Sequence, residues 1–211
     1  MIEIENFLDN PYLVREYALQ QDYQECKFEC NKPLFSGFRC LVKSKCIFNE
    51  IFSKIEQISN LKIHEIHMSF HVNSEISVLG FPHHDSRYSP EVKEFAGVIY
   101  LNELPIEMDK FLYGTTIYEN PNYYPDDYHS KMQIVYNVNI PCENFYKLKF
   151  IKECLDYKSK LKIIKNLGLE FNKLVMYSAH DFHSPNFYFG STLEDSRMTI
   201  AIHGKFKWKF T

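Results

Sequence analysis

The chain has no block of basic residues, no long apolar run and no CxxC cysteine pair. Each absence excludes something. Lys and Arg number 24 against 27 Asp and Glu, for a net charge of −3, and no basic stripe of the kind that neutralises phosphates is visible. Nucleic-acid binding therefore has no support in the sequence. No apolar stretch approaches the roughly 20 residues that a membrane span needs. The opening "MIEIENFLDNPYLVREYAL" lacks a positive region followed by an apolar one, so the expectation is no signal peptide and a cytoplasmic protein. The six cysteines are Cys26, Cys30, Cys40, Cys46, Cys142 and Cys154. Without an export signal they are expected to be free thiols, and the CxxxC spacing of Cys26 and Cys30 makes a poor zinc motif. Repeats, low-complexity tracts and linkers are also missing. One domain over 1–211 is expected, with a helical part over about 1–60 and a strand-rich part over about 61–211.

What is present is a globular composition of 45% hydrophobic and 24% charged residues. The 18 Phe and 15 Tyr fit either codon usage in an AT-rich genome or an aromatic-lined site. "LDNPYLVREYALQQ" offers Asn10 as a helix N-cap and Pro11 as first helical residue, with Leu13, Val14, Tyr17 and Ala18 at helical spacing. Ile51, Phe52, Ile55 and Ile58 predict a second helix over about 49–58. From Lys62 the period falls to two: Ile66, Met68, Phe70 and Val72 alternate with His67, Ser69 and His71, a strand with one polar face. Further strands are expected at 76–79, 95–101, 111–118, 132–140, 174–178 and 198–206. A helix is expected over about 142–166, ended near Gly168. Helices first, then many short strands, favour an antiparallel sandwich or jelly roll with helices on one face.

Two stretches carry chemistry. "GFPHHDSRYSPEVKEFAGVIYLN" sets His83, His84 and Asp85 together just ahead of a strand, a poor arrangement for a core and an unnecessary one for a turn. "LVMYSAHDFHSPNFYFGSTLEDSRMTIAIHG" then supplies His180 and His183, expected on a loop after a strand, and Arg197, expected near the start of a final strand. Two imidazoles and one carboxylate on one face of an octahedron form the facial triad of non-haem iron(II) oxygenases, which leaves three positions open. Arginine, always charged and forked, is the natural anchor for a carboxylate. Taken singly, each residue also has a plainer role. His83 and His84 can decorate a turn after Pro82, Arg197 can pair with Asp195 or Glu194 at the surface, and Tyr100 can be a core tyrosine. His67 and His71 read as strand histidines facing solvent. His203 and "KFKWKF" read as an exposed edge strand without chemistry.

Together these residues resemble the iron(II)/2-oxoglutarate-dependent dioxygenase superfamily in its prolyl-hydroxylase-like branch. The resemblance rests on HxD at His83 and Asp85, "VIYLN" ending at Asn102, "GTT" at Gly114 to Thr116, "HSP" at His183, and Arg197 fourteen residues later. "NFLDNPYLVREYAL" is similar to an uncharacterised group within that superfamily. The resemblance implies a mainly β fold with flanking helices, a double-stranded β-helix or jelly roll. It implies iron(II) held by His83, Asp85 and His183, with His183 preferred to His180 because of its gap to Arg197. It also implies 2-oxoglutarate and O2 as cosubstrates, with Arg197 and Tyr100 at the far carboxylate of the keto acid, and a hydroxylase-type reaction that yields succinate. His84, between two ligands, is expected to face away as a bystander or a substrate contact. The substrate is a small molecule or a protein side chain, and the sequence does not choose. A cupin-type jelly roll that binds metal without 2-oxoglutarate is the alternative, distinguished by having no need of Arg197 and Tyr100. The tyrosine-rich loop at 119–131 is expected either to cover the open side of the metal or to be an ordered, inert surface loop.

Overall fold

The structure is a computed structural model that describes residues 1–27, 33–75, 80, 82–86, 93–120, 152 and 154–207, with the side chains of 25–36 excluded. Two antiparallel sheets make up most of it, with helices packed outside the larger one. The expected strands at 76–79 and 132–140, most of the loop at 119–131, and the side chains of Cys26, Cys30 and Cys142 lie outside the described residues. Cys40, Cys46 and Cys154 are free. No helix among the described residues is long and apolar enough to cross a membrane.

The larger sheet has seven strands: β1 (Ile2–Ile4), β2 (Gln24–Lys27), β3 (Pro33–Leu41), β4 (Ile63–Asn73), β5 (Glu94–Tyr100), β8 (Leu174–Ser178) and β10 (Arg197–Phe206). Their spatial order is β1-β8-β5-β10-β4-β3-β2. The smaller sheet is β6 (Thr115–Tyr118) flanked by β7 (Ile163–Leu167) and β9 (Phe182–Pro185). Because strand side chains alternate, each strand of the larger sheet serves two environments. Phe70, Ile99, Leu174, Met198, Ile200 and Ile202 point outward to α1 (Pro11–Leu19) and α2 (Lys45–Ser59). Helix α2 brings Ile47, Ile51 and Ile55 at i+4 spacing into this layer, each worth about 1.5–3 kcal/mol on full burial. Ala96, Tyr100, Val175 and Tyr177 point inward and pack against Ile117 and Leu167 of the smaller sheet.

Both N-terminal helices lie where the sequence places them, though α2 is longer, beginning after Ser44, whose side chain accepts a bond from the Ile47 amide. Pro11 opens α1, while the Asn10 side chain makes no capping bond. Four expectations are corrected. The strand expected from residue 111 begins at Thr115, because Asp109 caps a helical turn, α3 (Lys110–Tyr113). The helix expected through residue 166 has ended by residue 159. Ile163–Leu167 then pairs with β6, so Gly168 follows a strand rather than capping a helix. The loop expected to carry His183 is itself a strand, β9, from Phe182 on. Finally, β10 is no edge strand, being paired along its length with both β4 and β5. Strands β1, β2 and β3 have no counterpart in the sequence reading.

Candidate metal centre

His83 and His183, far apart in sequence, are joined by a two-residue antiparallel bridge. Each amide donates to the other's carbonyl at 2.8 Å, and the rings lie 4.6 Å apart. Two residues on, the amides of Asp85 and Ser86 both donate to the Ala179 carbonyl, at 2.9 and 3.0 Å. The Ser86 hydroxyl donates to Glu94 at 2.6 Å and contacts His180 Nε2 at 3.4 Å. The HxD segment is thus laced to the β8–β9 corner by backbone bonds that do not depend on the ligating side chains. The result is a cluster in which one nitrogen of His83, one oxygen of Asp85 and one nitrogen of His183 all lie within 4.8 Å of one another.

The protonation pattern suits a metal. His183 donates Nδ1–H to the Asp181 carbonyl at 2.9 Å, which turns Nε2 toward Asp85, 3.3 Å from Oδ2, as the nitrogen that would meet a metal. His83 Nε2 lies 3.6 Å from Asp85 Oδ1. Burial pushes the Asp85 carboxyl up, but the charge and hydrogen bond of His183, the bond from His83 and the charge of His203 outweigh it, holding Asp85 well below the usual carboxylate range. His180 falls outside the cluster and binds the Ser86 hydroxyl instead. His84 is exposed.

Arg197 is the first residue of β10 and is only 4% exposed. Its surface pairing with Asp195 or Glu194 does not occur: the Asp195 carboxylate accepts the amides of Ser191 and Thr192. Arg197 Nε donates to the Tyr113 carbonyl at 3.0 Å, and its guanidinium lies 5.5 Å from the Tyr100 ring and 5.8 Å from that of Tyr188. No carboxylate among the described residues pairs with it. The Tyr100 hydroxyl shares a 2.9 Å bond with Thr115 Oγ1. Burial raises the pKa of this phenol, and the arginine charge partly offsets it. The "YLN" and "GTT" motifs acquire physical reasons here. Asn102 clamps the entry to β10, giving its Nδ2–H to the Ser196 carbonyl at 2.8 Å and accepting the Met198 amide at 2.5 Å. At Gly114 a Cβ would stand 1.8 Å from the Leu167 carbonyl oxygen, so β6 can meet β7 there only without a side chain.

The site holds two residues to which the sequence reading gave no role. Tyr177, on β8, packs its ring 4.6 Å from that of His183. Burial raises the pKa of its phenol well above normal, the charges of Asp85 and Tyr100 raise it further, and that of Arg197 opposes them. The only signal was its inward register on β8, opposite Ala96. The other is His203, whose Nδ1 lies 3.5 Å from Asp85 Oδ2.

The known structures this one resembles share a common theme. A Pseudomonas putida prolyl-4-hydroxylase superposes with a TM-score of 0.52 at 10% identity, covering 98% of this chain and 92% of its own. The fold is that of the 2-oxoglutarate/iron(II) oxygenases. HygX from Streptomyces hygroscopicus, solved with nickel and 2-oxoglutarate bound, gives a TM-score of 0.57 at 8% identity over 96% of this chain and 82% of its own. A 2OG-Fe(II) oxygenase-family oxidoreductase from Burkholderia pseudomallei gives 0.52 at 10% over 97% and 83%. No protein-family model and no curated protein matches the sequence. At these identities the likeness is one of fold. In this chain the HxD segment is bridged to β9, and the inner face of the larger sheet packs on the smaller sheet.

Proposed function

We propose that the chain is a non-haem iron(II) and 2-oxoglutarate-dependent oxygenase of the hydroxylase type. His83, Asp85 and His183 would hold the metal, and Arg197, helped by Tyr100, would hold the far carboxylate of 2-oxoglutarate. The observation that carries the reading is the pairing of two features: a three-donor cluster, and a buried arginine with no carboxylate partner among the described residues. A buried charge without a counterion is costly. The missing anion at Arg197 is therefore best supplied by a ligand. A cupin-type metal site explains the cluster but leaves the arginine without a reason.

Bound iron and 2-oxoglutarate supply the oxidation itself, in which O2 is consumed, the keto acid becomes succinate and CO2, and one oxygen atom enters the substrate. The chain's residues bind and orient. His183, its Nδ1 proton committed to Asp181, presents Nε2, and Asp85 stays anionic. Arg197 offers a planar fork that matches a carboxylate. Its guanidinium is kept in place by the Tyr113 carbonyl and the Tyr100 ring. Tyr177 and Tyr100 would line the cosubstrate's position, backed by Ile117 and Leu167, and a lining of this kind would exclude water. His84, exposed between His83 and Asp85, would meet a substrate.

The test is an anaerobic titration of the iron(II)-loaded protein with 2-oxoglutarate, followed by an assay of succinate release in air without added substrate. The expected result is a new visible absorption band that saturates with 2-oxoglutarate, and slow succinate formation. A protein that binds iron(II) but shows no response to 2-oxoglutarate would be of the cupin type instead.

A further inference from the structure

Three imidazoles, not two, approach Asp85. His203 Nδ1 is 3.5 Å from Asp85 Oδ2, comparable with 3.3 Å for His183 and 3.6 Å for His83. His203 nonetheless stands outside the three-donor cluster, so it approaches the carboxylate from another side. Its position follows from strand register. On β10 it pairs with His67 of β4 and Ala96 of β5, and Ala96 pairs in turn with Tyr177 of β8. These residues form one row across the inward face. Ala96, fully buried, contributes only a methyl group between His203 and Tyr177. The His203 side chain is 44% exposed and that of Asp85 15%, so the imidazole forms the outer wall of the carboxylate's position.

We propose that His203 is a positioning residue for Asp85, its Nδ1–H donating to Oδ2 so that a single carboxylate oxygen is left for the metal. The inference rests on the metal site proposed above. An octahedral metal with three protein ligands would have three positions left; a chelating keto acid would take two and O2 the last. A carboxylate bound through both oxygens would fill one of those three. A donor that occupies one oxygen prevents this, in the way hydrogen bonds from outside a metal's ligand set commonly fix a ligand's orientation. The side chain needs an N–H at the Nδ1 position and no charge. Asparagine places its Nδ2–H in about the same place, whereas phenylalanine keeps the ring and loses the donor.

The experiment measures anaerobic cobalt(II) affinity, by chelator competition, and the cobalt visible spectrum for the parent, His203→Phe, His203→Ala and His203→Asn. Circular dichroism melts of the metal-free proteins confirm folding. Expected are affinities roughly 10–100-fold weaker for Phe and Ala, with altered cobalt bands, and return to within a few-fold of the parent, bands included, for Asn. Parent-like affinity and bands in both Phe and Ala would overturn the proposal, as would Asn behaving like Ala. If the parent itself binds no cobalt, the metal-site reading falls and takes this one with it; parent binding with unaffected variants removes only the role of His203.

Discussion

The two faces of the seven-stranded sheet are built from the same strands, one residue out of step, and they do opposite things. On the outer face Phe70, Ile99, Leu174, Met198 and Ile200 meet the helices in a layer with no titratable side chain among these five. On the inner face the same strands present His71, Tyr100, Tyr177, Arg197 and His203. The outer face gains free energy by excluding water from hydrocarbon, which is insensitive to direction. The inner face holds charges and hydrogen-bonding groups in a poorly hydrated space, where each must have a partner or impose a penalty. Stability is thus concentrated on one side of the sheet and chemistry on the other, and a single-residue slip of register would exchange them.

That separation can be broken one side at a time. The largest effect is expected at the metal: His183→Ala should abolish iron(II) retention measured by metal analysis, whereas His180→Ala should retain it, since His180 binds Ser86 outside the cluster. Both should melt cooperatively, because the backbone bridge between residues 83 and 183 survives either change. On the outer face, Phe70→Ala should lower unfolding free energy by about 3–5 kcal/mol. The folded fraction should keep its metal and 2-oxoglutarate affinity, as denaturant melts and titrations would show. Arg197→Ala should do the reverse. Loss of about 3–5 kcal/mol from a buried charged contact corresponds to roughly two to four orders of magnitude in 2-oxoglutarate affinity, with iron retained. Tyr100→Phe should cost only about 1 kcal/mol in the same titration.

The smallest effect concerns His71, on the inner face, which shares a 2.8 Å bond with Ser69 Oγ. Burial, then the charges of Arg39, His203 and Arg197, keep its pKa well below the ordinary histidine value, despite Asp85. The folded protein therefore resists a proton that the unfolded chain accepts below about pH 6.5, so stability must fall as pH drops through that value. His71→Asn should flatten this acid limb by at most about 1.4 kcal/mol per pH unit. An unchanged limb in denaturant melts at pH 5 to 7 would place the sensitivity elsewhere on the inner face.

Much of this was legible in the chain because it is local. The alternation from Ile66 to Val72 marked β4 and its two faces, and the strand at 174–178 has the bounds expected of it. HxD, YLN, GTT and the spacing from His183 to Arg197 pointed to residues that the structure brings near one another, since alternation in extended chain turns residues 83 and 85 to one side. His203 was misread because alternation shows that one face is polar without showing whether that face meets water or a site. Only the pairing of β10 with both β4 and β5 decides it. Tyr177 was passed over for the same reason. Its meaning depends on lying across the sheet from Ala96 and beneath Asp85's field, which is long-range register. Sequence determined which side chains can ligate, anchor and alternate, because those are properties of single residues and their near neighbours. Tertiary structure decided which of them share a space, because a buried carboxylate or arginine is defined by partners a hundred residues away.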